Sequence, residues 1–131
     1  MLPRWVCGGD VVSVALVRTN RPVPIRAIEI MGAIGIAFWA VTIVRAFIEG
    51  AGNAFVVLLV GLVLAAAHAV VAIGANRRSI TYLYAIGFIF VGDLLLAIFV
   101  DSRAFALVAF TVVLGVLAAT PSARRWQRGS S

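Results

Sequence analysis

The stretch from Ala54 to Ala75, AFVVLLVGLVLAAAHAVVAIGA, decides the fold class. It carries no formal charge and one histidine, His68. A helix rises about 1.5 Å per residue and the hydrocarbon core of a bilayer is about 30 Å thick, so this stretch is long enough to cross a membrane. Three more segments of the same kind lie around it. They are residues 25–47, charge-free from Ile30 to Val44; residues 80–100, which contain Asp93; and residues 104–120, closed by Pro121. Lipid offers backbone groups no hydrogen-bond partner, so spans of this length are helices. The linkers 48–53, 76–79 and 101–103 are short, which makes consecutive helices antiparallel neighbours. The expected fold is all-α: an integral membrane four-helix up-down bundle over residues 24–121.

Composition agrees. Of 131 residues, 63% are hydrophobic and 12% charged, against roughly 25% charged in a soluble domain. Mean hydropathy is +1.12. A soluble domain and a disordered chain are both excluded, since disorder needs few apolar residues. The net charge is +6, from 11 arginines and no lysine. In an aqueous protein that charge would point to nucleic acid, but no nucleic-acid motif accompanies it. Here it reads as topology. Arg4, Arg18, Arg21, Arg26, Arg77, Arg78, Arg124, Arg125 and Arg128 fall on one side of the four spans, and only Arg45 and Arg103 on the other. The positive-inside rule then places both termini and the middle loop in the cytoplasm. The expected location is the plasma membrane of a prokaryote. Arg77, Arg78, Arg124, Arg125 and Trp126 are the expected headgroup anchors.

Residues 1–23 read as an N-terminal cytoplasmic tail. Val11–Val17 is too short to span, and Pro22 and Pro24 interrupt regular structure. Cys7, the single cysteine, excludes a disulfide within the chain and reads as an incidental thiol. Residues 122–131 read as a basic cytoplasmic tail.

The two halves share a pattern. Ala33-Ile34-Gly35 with Phe38 recurs as Ala85-Ile86-Gly87 with Phe90, and Val63-Leu64-Ala65-Ala66 recurs as Val116-Leu117-Ala118-Ala119. A tandem repeat of two-helix hairpins explains this, and so does coincidence in a composition of few residue types. Small residues recur at helical spacing: Gly32 and Gly35; Gly61, Ala65, Ala69 and Ala72; and Thr111, Gly115 and Ala119. Such stripes let helix backbones approach closely, either within the bundle or against a partner.

Four polar residues are candidate ion, proton or helix-contact sites: Asp93, His68, Tyr82 and Glu29. Asp93 lies about 20 Å into the third helix by helix rise. A carboxylate there costs on the order of 3 kcal/mol, so it faces the bundle interior or carries a proton. Its face includes Tyr82, Ile86, Ile89 or Phe90, and Ala97. His68 lies on the small-residue face of the second helix. Glu29, near the cytoplasmic end of the first, has two expected partners: His68, or Arg26 one turn back, the favoured one. Arg45 is expected to pair with Glu49 four residues on. Glu29 and Arg45 point to nearly opposite faces, which argues against a continuous polar path.

No phosphate loop, HExxH, CxxC or GxSxG is present, and no loop is long enough for a catalytic domain. An enzyme is not expected, nor are a metal or other cofactor. The leading functional reading is a non-enzymatic accessory or structural subunit acting through intramembrane helix contacts. Its partners would be the lipid bilayer and another membrane protein or a second copy of itself, with no nucleic acid. The alternative is a small homodimeric proton- or cation-coupled transporter or channel using Asp93, with His68 or Tyr82 assisting.

Overall fold

The computed structural model describes residues 21–129. The reading of residues 1–20 as a tail, and of Cys7 within it, falls outside the described residues. Four long apolar helices follow one another: α1 (Val23–Ile48), α2 (Ala54–Asn76), α3 (Thr81–Phe99) and α4 (Phe105–Ala119). A 3₁₀ turn over Ser102–Ala104 leads into α4, and a short α5 (Pro121–Gln127) closes the described chain. The three long helices α1 to α3, and the turn with α4 taken together, are each long and apolar enough to cross a membrane. This is a small multi-pass membrane protein. No strand occurs among the described residues.

Two proline readings need correction. Pro22 and Pro24 do not hold α1 off: Pro22 is its N-cap and Pro24 sits in the first turn, so the helix starts at Val23. The first-turn N–H groups have no partner within the helix, so a proline there loses nothing. Pro121 ends α4 and also begins α5. The residue before a proline avoids helical angles, and Thr120 is extended at ψ 147°. Pro121 is then the first residue of the next helix, so the basic segment after α4 is helical over most of its length.

Helix ends show how the chain turns. Gly50 follows α1 at φ 65°, and Ala51 N–H reaches back to the Ala46 carbonyl at 3.1 Å. The same left-handed stop follows α2, but there Arg78 holds it at φ 58°. Ser79 N–H bonds the Gly74 carbonyl at 2.9 Å and Arg78 N–H the Ala75 carbonyl at 3.4 Å, the paired bonds of a Schellman stop. Asp101 accepts from Arg103 N–H at 2.9 Å and so caps the turn leading into α4.

Each long helix packs on the next in sequence, and α4 also touches α1. The tightest approach is between α1 and α2. A Cβ built on Gly32 would stand 2.9 Å from the Ala72 Cβ and 3.0 Å from the His68 carbonyl oxygen. Gly61 makes the same kind of room for Ile43. These stripes are therefore used within the chain. The third stripe is split: Thr111 is buried, Gly115 half-buried and Ala119 exposed. Steps of four residues overshoot a turn by about 40° each, so two steps rotate the face by about 80°. Leu114 and Ala118 take the inward positions instead.

The apolar core is concentrated at one end. Ile25, Ile28, Val71, Tyr82, Leu114 and Ala123 are all fully buried, and all lie toward the end that holds Pro22, the 77–80 turn and α5. This is termed the terminal end, and the opposite one, with the 49–53 and 100–104 connections, the loop end. Large apolar side chains cover the outside of every long helix, among them Val41, Leu59, Phe88 and Val112. In water that surface would drive aggregation; in lipid it is the solvated face.

Candidate functional site

The inward face of α3 is set by helical spacing. Tyr82, Ile86, Ile89, Asp93 and Ala97 are buried along it, while Phe90 is exposed. Asp93 is 2% exposed. A carboxyl group so placed needs partners from neighbouring helices, and α4 supplies one. Thr111 Oγ1 lies 2.7 Å from Asp93 Oδ2.

The same hydroxyl lies 2.9 Å from the carbonyl oxygen of Leu107, one turn back on α4. A hydroxyl has one proton to donate, so it cannot serve both acceptors at once. When Asp93 is ionised, Thr111 donates to Oδ2 and the Leu107 carbonyl loses its side-chain donor. When Oδ2 carries a proton, Asp93 donates to Thr111 and Thr111 donates to Leu107. Both short contacts are then hydrogen bonds. Two donor patterns thus fit one geometry, and the charge on Asp93 selects between them. Its other oxygen, Oδ1, receives a hydrogen bond from no protein group among the described residues.

His68 stands beside Asp93. Its Nδ1 lies 2.7 Å from the Leu64 carbonyl. A carbonyl only accepts, so Nδ1 carries the proton, and in the neutral ring Nε2 is left as an acceptor. The ring occupies the space where a Gly35 side chain would be: a Cβ built there would overlap it. Gly35 on α1 thereby admits a histidine from α2 into the middle of the protein. His68 and Asp93 line one cavity of about 150 Å³, together with Gly35, Phe38 and Trp39 from α1 and Ala106, Leu107 and Phe110 from α4.

A second, larger cavity of about 610 Å³ adjoins it toward the loop end and shares the walls Phe38, Trp39, Ala106 and Leu107. It widens between all four helices and reaches Asn53, Asp101 and Arg103 at its rim. Phe38 and Trp39 meet edge to face, with ring centroids 5.4 Å apart, and form part of the neck. Below Asp93 the apolar core closes the terminal end.

The other sequence candidates lie elsewhere. Tyr82 is fully buried with no partner for its hydroxyl among the described residues. It packs on Gly74, about 16 Å along α3 from Asp93 by helix rise, and does not line the cavity. Glu29 is not joined to His68, and its partner is not Arg26, which is exposed. Arg21 Nη1 holds both its oxygens, at 2.6 and 2.8 Å. Arg21, just before Pro22, lies back along α1 and so meets Glu29 across seven intervening positions. Arg45 pairs with Glu49 at 2.9 Å, as helical spacing predicts.

At the terminal end Arg77, Arg78, Arg124 and Arg125 are exposed. The indole N–H of Trp126 donates to the Ala75 carbonyl at 3.0 Å, the same last-turn carbonyl of α2 that accepts from Arg78 N–H. The Arg78 guanidinium stacks 4.1 Å from the centre of the same ring. Thr111, the partner of Asp93, is the candidate-site residue that the sequence assigned only to packing. Its signal was a hydroxyl in an otherwise apolar helix at a depth close to that of Asp93. No group of three His, Cys, Asp or Glu side chains able to hold a metal occurs among the described residues. Compared with known proteins, the chain matches no family model, no curated protein and no solved structure.

Proposed function

We propose that this multi-pass membrane protein is a small proton- or cation-coupled carrier whose working group is Asp93. The observation that carries the reading is the position of Asp93: deep among the helices, with no donor to Oδ1 among the described residues, and in the lining of a cavity that shares four wall residues with a wider one reaching the loop end. Ionisable groups within membrane spans are costly and mark ion or proton sites when they line a cavity. Thr111 stabilises either charge state of Asp93 by turning its hydroxyl, which suits a group that loads and unloads. The reading is non-enzymatic and includes no cofactor.

The arginine distribution supports a cytoplasmic terminal end in a prokaryotic plasma membrane, so the wide cavity opens to the outside. An antiparallel up-down bundle, built as two tandem hairpins, fits the helix contacts. The two supposed repeats differ in use: Gly35 accommodates His68, whereas its counterpart Gly87 has nothing within 4 Å of a built Cβ.

The test is flux of protons and monovalent cations in proteoliposomes. Wild-type flux that disappears in Asp93→Asn, with assembly unchanged, supports the carrier. A second reading, an accessory subunit, is favoured by the way Arg21–Glu29 and Arg45–Glu49 satisfy one another within α1 and its lead-in, leaving apolar faces for contact. Gentle extraction that yields a larger complex with other subunits, together with no flux, would establish it over the first.

A further inference from the structure

The floor and the walls of the joined cavities specify a ligand chemistry. At the floor are Asp93, whose Oδ1 meets no protein donor among the described residues, and His68, whose Nε2 is free to accept when Nδ1 donates to the Leu64 carbonyl. Thr111 does not reach over: its one proton is committed to Oδ2 or to Leu107. The remaining groups around the floor are apolar. Gly35, Phe38 and Trp39 come from α1, and Ala106, Leu107 and Phe110 from α4. A buried acceptor pair without donors is costly until something supplies N–H or O–H groups. A positive charge in addition meets the carboxylate in surroundings of low dielectric, where the attraction is strong.

The walls exclude a simple hydrated ion as the best match. The wider cavity holds about 610 Å³, within the range of roughly 300–1,000 Å³ typical of small-molecule sites. Its sides are Trp39, Val56, Val57, Val60, Leu96 and Leu107, and polar groups appear only at Thr42 and at the rim. Such walls give a hydrated inorganic cation nothing to replace its water, but they stabilise a hydrocarbon or aromatic body. Trp39, in the neck, adds an aromatic face that attracts cations.

We infer that the two cavities form one binding site for an organic ammonium ion, a protonated primary or secondary amine with an apolar body, entering from the loop end. Its N–H groups donate to Asp93 Oδ1 and His68 Nε2, and its body lies between Trp39, Val57, Val60 and Leu107. The inference rests on the reading of Asp93 as the working carboxyl group and names the ligand of that same site.

The test uses the full chain in detergent micelles, with n-octylammonium as probe, and calorimetric titration corrected by empty micelles. Saturable binding is expected for the wild type. Loss of a charge-assisted hydrogen bond at the floor weakens it about tenfold or more in Asp93→Asn. Val57→Trp, which fills the wide cavity away from the floor, weakens it similarly. Circular dichroism confirms that both variants keep their helices. Equal binding of 1-octanol overturns the inference, because charge would then be irrelevant. So does tetraphenylphosphonium that displaces octylammonium at equal concentration, because that cation has no N–H. Unchanged affinity in Asp93→Asn overturns it as well.

Infrared titration of the carboxyl C=O band separates this inference from the reading beneath it. A pH-dependent band that is absent in Asp93→Asn, without octylammonium binding, leaves Asp93 as a loading group and removes the ammonium ligand. Saturable octylammonium binding with a silent band keeps the site and removes the coupled carrier.

Discussion

The imidazole of His68 on α2 occupies the place where a Gly35 side chain on α1 would stand. A single absent methyl group thus allows a polar ring into the centre of an apolar protein, beside the buried Asp93. Gly35→Ala should destabilise the protein by about 1–3 kcal/mol, the usual cost of overpacking. Gly35→Ala combined with His68→Ala should recover most of that loss, since the ring is what the new methyl strikes. Unfolding in mixed micelles measures both, and additive losses would show that the clash lies elsewhere.

Thr111 and Asp93 make a second pair across helices. Thr111→Val keeps the volume and removes the hydroxyl, leaving Oδ2 without its partner at a cost of about 1–3 kcal/mol. Thr111→Ser keeps the hydroxyl and should retain most of the stability. The infrared band of the Asp93 carboxyl group should move in the valine variant and stay in the serine variant. Equal behaviour of the two variants would remove Thr111 from the site.

Arg78 holds a left-handed stop that usually belongs to glycine, at φ 58°, while stacking on Trp126. Arg78→Ala loses the stacking and keeps the backbone strain. Arg78→Gly loses the stacking and relieves strain of about 1 kcal/mol. The alanine variant should therefore be the less stable of the two by about that amount. Thermal unfolding of the two side by side decides the matter.

The two ion pairs of α1 should differ in weight. Arg45 and Glu49 are 70% and 59% exposed in their side chains, and Arg21 and Glu29 are 29% and 23% exposed. Glu49→Gln should cost no more than about 0.5 kcal/mol. Glu29→Gln weakens a charge-assisted pair held through both carboxylate oxygens and should cost more, about 1–2 kcal/mol. The ranking would be wrong if high salt abolished both effects alike, because screening acts chiefly on exposed pairs.

Orientation has a direct test. In a Cys7→Ser background, Gly52→Cys at the loop end should react with an impermeant thiol reagent added to intact cells. Ile80→Cys in the α2–α3 turn should react only after lysis. The reverse pattern would turn the protein over and place the wide cavity on the cytoplasmic side.

Local chemistry was enough to read the four spans from the chain. Long apolar segments with few charges cannot dissolve, and lipid leaves helix as the open-ended solution, so their existence needed no tertiary information. The inward turn of Asp93 was legible for a similar reason: a carboxyl group has nowhere else to go in hydrocarbon. The pairing Arg45–Glu49 also follows from helical spacing alone. Rotation about each helix axis was another matter. All four helices are apolar on every side, so no polar face announces which flank turns inward. Ile89 rather than Phe90, and Leu114 rather than Gly115, face the interior because packing selected them. Only the assembled structure could choose Thr111 as the partner of Asp93, seat His68 on Gly35, give Glu29 to Arg21, and leave Tyr82 several turns away from the cavity. Each of these depends on contacts that reach beyond one turn of a single helix. Energies along the chain determine that helices form in a membrane, whereas the choice among their faces is made by fit between surfaces of nearly equal hydrophobicity.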